Sequence, residues 1–191
     1  NFKLKTHYKK ILADTISPVS VYLKIRDQFP NSILLESSDY HGNDNSFSYI
    51  CCNPIASIKV EASVITKTYP DRTTEIKTVS HDKVTLEIDA FTKQFETQKD
   101  KVFKFINNGM FGFTAYDAVK YFEDITISKK NGSVEIPDMY YAVYQNIIAI
   151  NHFKNEAYIF AHCYETESNI EAIDHLIKMQ SFSSYDFKSI G

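Results

Sequence analysis

The run Leu34-Leu35-Glu36-Ser37-Ser38-Asp39-Tyr40 ends an apolar stretch with one carboxylate and two adjacent hydroxyls. Glu36, Ser37 and Ser38 together suit a zwitterion. An ammonium needs a carboxylate or carbonyl acceptors, and a carboxylate needs hydroxyl or backbone amide donors. A free amino acid is therefore one ligand class that the run fits. The same residues also serve as ordinary polar positions where a strand meets a loop, with Ser37 or Ser38 making a local turn bond. Their types and spacing leave both uses open.

The segment from Gly109 to Glu123, GMFGFTAYDAVKYFE, is the second place where chemistry could reside. Gly109 and Gly112 permit close backbone approach in a strand, and Tyr116-Asp117 offers a phenol and a carboxylate to fix the next segment by hydrogen bonds. These features point to structural service. Asp117, Glu123 and Asp124 have the chemistry of an acid, a base or a metal ligand, but no second cluster in the sequence completes such a site.

Composition narrows the function classes. The net charge is −3, with 21 basic residues spread among 24 acidic ones, so no basic footprint for a phosphate backbone exists. The thirteen tyrosines lack basic interleaving and read as core and rim residues, not as stacking platforms for nucleic acid. No apolar run approaches the ~18 residues of a membrane span. The start Asn1-Phe2-Lys3-Leu4-Lys5 lacks the apolar centre of a signal peptide, and the expected location is the cytoplasm. Six scattered histidines form no His-Glu-x-x-His, and five glycines form no phosphate loop. Cys51, Cys52 and Cys163 do not make a disulfide framework; they read as reduced core thiols, the adjacent pair facing opposite ways.

A length of 191 residues with 43% hydrophobic content predicts one domain. The beginning at Asn1 and the polar, aromatic end Ser181 to Gly191 suggest a piece of a longer protein; processing or a tag gives the same ends. Ser17-Pro18 predicts a helix start, with Val19, Tyr22, Leu23, Arg26 and Phe29 at helical spacing and Phe29-Pro30-Asn31 as its stop. Strands are expected over Ile33 to Glu36 and Phe47 to Cys52, the second broken by Asn53-Pro54. Short antiparallel strands come next over Ala56 to Val60, Val64 to Tyr69 and Glu75 to Val79, turning at Pro70-Asp71-Arg72. Ala90, Phe91, Gln94, Phe95 and Gln98 suggest a second helix, and Asn107-Asn108-Gly109 a turn into a new strand. Ala142 to Asn151 and Glu156 to Cys163 form the clearest hairpin. Ser168-Asn169-Ile170-Glu171 matches a capping box opening a terminal helix striped by Ile170, Ile173, Leu176 and Ile177. The predicted class is α+β, a largely antiparallel β-sheet with flanking helices.

Taken in order, LLESSDY, NSFSYI with NPIAS, GMFGFTAYDAVKYFEDI, then IPDMYYAVY and the hairpin resemble the N-terminal region of anthranilate synthase component I, over most of Asp14 to Ile177. The resemblance implies the N-terminal, regulatory half of a two-lobed α/β sandwich, residues 1–191. The C-terminal half, absent here, would bind chorismate and magnesium. It further implies a glutamine amidotransferase partner supplying ammonia, conversion of chorismate to anthranilate and pyruvate in tryptophan biosynthesis, and feedback inhibition by tryptophan. The inhibitor motif carries over to Leu35, Glu36 and Ser37, with no catalytic or metal residue in this half. Many relatives carry arginine or lysine just before the serine of the second strand, where this chain has Ser46-Phe47-Ser48, which puts that charge contact in doubt. Aminodeoxychorismate synthase component I resembles the same pattern, and a free-standing amino-acid-binding module is the alternative from a different class.

Overall fold

A computed structural model describes residues 1–36, 46–97, 102–125 and 136–179. Along the chain run β1 (Phe2–Leu12), α1 (Pro18–Gln28), β2 (Ile33–Glu36), β3 (Phe47–Glu61), β4 (Val64–Thr68) and β5 (Thr74–Thr78). Then come α2 (Val84–Thr92), β6 (Phe95–Thr97), β7 (Met110–Thr114), β8 (Met139–Asn151), β9 (Glu156–Cys163) and α3 (Ile170–Lys178). The strands form one sheet in the order β5-β4-β3-β8-β9-β1-β6, with β2 added beside β3 and β7 beside β8. Among the described residues every pairing is antiparallel except β1 with β6. The α+β class and largely antiparallel sheet expected from the sequence are present.

Two long strands, β3 and β8, are the frame. Asn53-Pro54 does not end β3, as the sequence suggested; the strand continues to Glu61, and the register shifts between Pro54 and Ala56. A bulge absorbs the imino nitrogen that would otherwise break the ladder, and Asn53 takes φ 56° beside it. At the same level the sheet exchanges neighbours. Residues of β3 before the bulge pair with β2 and those after it with β4, while β8 passes from β7 to β9. Fully buried Asn146 bridges this switch, its Oδ1 accepting from Asn53 (2.9 Å) and its Nδ2 donating to Asn169 (2.7 Å). A buried amide without such partners would cost about 1–3 kcal/mol.

Alternation along these strands feeds two faces. Ile50, Cys52, Ile148, Ile150 and Ile159 face α1 and α3, which contribute Val21, Ile25, Ile170, Ile173 and Ile177. On the other face Phe47, Cys51, Phe111, Tyr144, Ile147 and Phe160 lie under Phe103 and Phe105 of the coil following residue 101. A third cluster joins Ile58, Val60 and Ile65 to Val84 and Phe91 of α2.

Local signals worked unevenly. Ser17 caps α1 as expected, its Oγ accepting from the Ser20 amide at 3.1 Å, but the buried face is Pro18, Val21 and Ile25, and Val19 is half exposed. The second helix starts at Val84, earlier than expected, and Phe95 belongs to β6 because it pairs with Phe2. The capping box is displaced by one residue: Asn169 occupies the cap, the Ser168 Oγ accepts from Ile170 N at 3.4 Å, and Glu171 pairs with Lys9 at 2.7 Å. Strand β1, not among the expected elements, alternates Phe2, Leu4 and Tyr8 with polar residues.

Candidate functional site

The carboxylate singled out by the sequence stands at the last residue of β2, which pairs only with β3 among the described strands. Glu36 is directly opposite Ser48, and Leu35 opposite Tyr49. Because adjacent strand residues point to opposite faces, Leu35 and Glu36 are not brought together. Glu36 shares the helix-covered face with Ser48 and Ile50, whereas Leu35, 38% exposed, shares the aromatic face with Tyr49. Ser37, Ser38 and residues 39–45 lie outside the described residues.

Around Glu36 the sheet supplies a polar corner. The Ser48 Oγ is 2.7 Å from His152 Nε2, and the His152 amide donates to the Ser46 carbonyl at 3.1 Å. Asn151 holds the β8–β9 turn that carries this histidine, its Oδ1 accepting from the amides of Phe153 (3.0 Å) and Lys154 (2.9 Å). Below, Tyr49 stacks on Phe47 at 6.0 Å and lies 6.1 Å from Phe111; burial pushes its phenol up to about 12. The corner offers an exposed carboxylate for a cationic group, at the end of a strand paired to β3. Ser48 and His152 have the types of a nucleophile and its base, but Ser48 is 1% exposed, so no substrate carbonyl reaches it. His152 was not legible as part of this corner: its contact with Ser48 spans 104 residues, and a histidine at a hairpin end carries no local signal.

Mid-chain, Gly112 makes the close approach expected of it, since a Cβ there would stand 1.9 Å from the Tyr140 carbonyl oxygen. Gly109 does not: nothing lies within 4 Å, and its φ of +130° is the reason for glycine. Asp117, Glu123 and Asp124 are exposed and do not converge, and Tyr116 is 88% exposed instead of fixing the next segment. That work is done by Tyr121 and Asp138. The Asp138 carboxylate accepts from Lys120 Nζ (2.7 Å), Tyr121 Oη (2.6 Å) and the Ala62 amide (3.0 Å), tying the β3–β4 turn down. Among the described residues no three His, Cys, Asp or Glu side chains gather to hold a metal ion, and no helix is long and apolar enough to cross a membrane.

No family model matches the chain. Among curated proteins it is similar to anthranilate synthase component 1 of Lactococcus lactis, 28% identical over 152 residues, which are 80% of this chain and 31% of that protein. Anthranilate synthase component 1 of Thermus thermophilus is 25% identical over 159 residues, 83% of this chain and 32% of its own length. Aminodeoxychorismate synthase component 1 of Bacillus subtilis is 24% identical over 154 residues, with 81% and 31% covered. The resemblance read from the order of motifs is therefore present across four-fifths of the chain, and the chain spans about a third of the length of the curated relatives it matches. A solved structure, anthranilate synthase component I from Streptococcus pneumoniae TIGR4, aligns at TM-score 0.47 and 21% identity over 88% of this chain and 35% of that one.

Proposed function

We propose that this chain is the N-terminal, regulatory part of anthranilate synthase component I and holds part of a tryptophan feedback site at the end of β2. The observation that supports the reading most is the similarity to anthranilate synthase component 1 across 80% of the chain. In the complete protein a C-terminal half binds chorismate and magnesium, a glutamine amidotransferase subunit delivers ammonia, and the products are anthranilate and pyruvate, made in the cytoplasm. Leu35, Glu36 and Ser37 are the proposed inhibitor contacts. Glu36 supplies the carboxylate for the tryptophan ammonium, and Leu35, on the opposite face, bears on the pocket only through the strand end. Magnesium is assigned to the C-terminal half, as the resemblance to anthranilate synthase component I implies.

An effector bound at this strand end changes activity only by preferring one arrangement of the two halves. Regulation then belongs to the whole subunit. A second reading, aminodeoxychorismate synthase component I, is supported by the relative from Bacillus subtilis at 24% identity. The test is the full-length gene product given chorismate, glutamine and magnesium, with products separated chromatographically. Anthranilate with pyruvate is expected; aminodeoxychorismate, or no consumption of chorismate, would overturn the proposal. The 191-residue chain alone is expected to give neither product, with glutamine or with ammonia.

A further inference from the structure

A cavity of about 150 Å³ lies where β1 and β6 meet β7, β8 and β9. Leu4, Phe95, Met110 and Val143 form apolar walls, and Thr97 and Asn108 a polar edge. Asn108 Nδ2 donates to Thr97 Oγ1 at 3.1 Å. That bond leaves the Asn108 amide oxygen able to accept and the Thr97 hydroxyl proton able to donate. Gly109, on the rim, has no atom within 4 Å of the place a Cβ would occupy.

The His162 ring also borders the cavity, with both nitrogens committed. Nε2 lies 2.8 Å from the Asn107 carbonyl, which only accepts, so Nε2 carries the proton. Nδ1, 3.0 Å from Thr6 Oγ1, accepts from that hydroxyl. Burial lowers its pKa and keeps the ring neutral. The lining therefore presents no charge, and a charged guest would lose its hydration uncompensated. The space is partly open to solvent, and a volume of roughly 150 Å³ accommodates a ring the size of benzene.

We propose that this cavity is a binding site for a small uncharged aromatic molecule carrying one hydrogen-bond donor, with the Asn108 amide oxygen as acceptor. It is a different place from the strand end at Glu36, since β3, β8 and β9 separate β2 from β1 in the sheet, and it does not depend on the effector reading. Phenol is the probe, titrated into the 191-residue chain while the methyl resonances of Leu4, Met110 and Val143 are followed by NMR. Saturable shifts with a dissociation constant on the order of 0.1–1 mM are expected from a seven-atom ligand of good efficiency. Anisole, which keeps the ring and lacks the donor, should bind roughly tenfold more weakly. Asn108→Leu should shrink that gap to about twofold, and Met110→Phe should abolish binding of both by filling the space. Absence of shifts up to about 10 mM phenol would mean a cavity that holds only water, and would overturn the proposal. Equal binding of phenol and anisole would overturn it too, and that comparison in the unmodified chain decides even if Asn108→Leu fails to fold.

Discussion

Gly112→Ala tests the part assigned to the mid-chain motif. Gly112 pairs with Tyr141 in the β7–β8 ladder, and its added methyl would stand 1.9 Å from the Tyr140 carbonyl oxygen and 2.8 Å from the Tyr141 Cα. Both are backbone atoms, so no side chain can turn aside. Real Cβ contacts stay beyond 3.0 Å, and β7 would have to retreat by about 1 Å or more. A ladder bond near 2.9 Å does not survive such a shift, and Phe111, 7% exposed in the aromatic cluster, would be drawn out with it. Overpacking costs about 1–3 kcal/mol and each lost hydrogen bond about 1, which together exceed the ~1 kcal/mol that alanine gains by restricting the unfolded chain. A net loss of about 3 kcal/mol lowers the melting temperature by roughly 6–12 °C at this chain length. Gly109→Ala meets open space and carries only the strain of a positive φ, about 1–3 kcal/mol. Melting of both variants by circular dichroism is the assay. A Gly112→Ala melting temperature equal to the parent's would refute the close-packing argument.

Glu87 accepts from Lys67 at 2.6 Å and from Lys77, and these bonds, the one from Lys67 foremost, hold its carboxyl below the ordinary 4.5. A depressed carboxylate stabilises the fold above its unfolded pKa and loses that contribution as pH falls through the folded value. The urea midpoint should therefore fall below about pH 4.5, and Glu87→Gln should lower it near pH 7 while making the acid decline shallower. An unchanged acid profile in Glu87→Gln would contradict the assignment. Cys51, Cys52 and Cys163 are buried and free, and burial pushes the Cys52 thiol up to about 12 and Cys51 higher. A thiol reagent should modify none of them in the native chain and all on denaturation; rapid native labelling, or a mass lower by two hydrogens, would count against this.

The hairpin of β8 and β9 was legible as two apolar runs around a polar turn, because both faces of these strands are buried, Ile148 and Ile150 on the helix side and Ile147 and Ala149 on the aromatic side. Strand β1 was passed over although Phe2, Leu4 and Tyr8 alternate with polar residues. Its many lysines and its threonine masked the pattern, and they are satisfied across the chain, Lys9 by Asp174 of α3 at 2.8 Å and Thr6 by His162. Pro54 looked like a strand end because the sequence shows the missing amide but not the bulge that accommodates it. Helix α1 was placed and only partly faced: Tyr22 and Phe29 of the expected stripe pack against the core, but Val21 and Ile25 are its buried residues while Val19 is half exposed, a choice between equally apolar residues that α3 and β3 decide. Of the candidate site, Glu36 was legible as a carboxylate closing a strand. Its partner across the ladder, Ser48, and the histidine behind it depend on pairings that no local pattern encodes. Leu35 and Glu36 also look like neighbours in a motif, yet the pleat sends them to opposite faces.

The most direct measurement of the central proposal is tryptophan inhibition of the full-length gene product, with and without Glu36→Gln. Removing the carboxylate that receives the effector's ammonium costs about 1.5–3 kcal/mol, so the inhibition constant should rise roughly 10- to 100-fold. Turnover of chorismate to anthranilate without tryptophan should stay within about twofold, because the reaction is assigned to the other half. Unchanged tryptophan inhibition in Glu36→Gln, or a collapse of turnover with inhibition intact, would contradict a regulatory site at the end of β2.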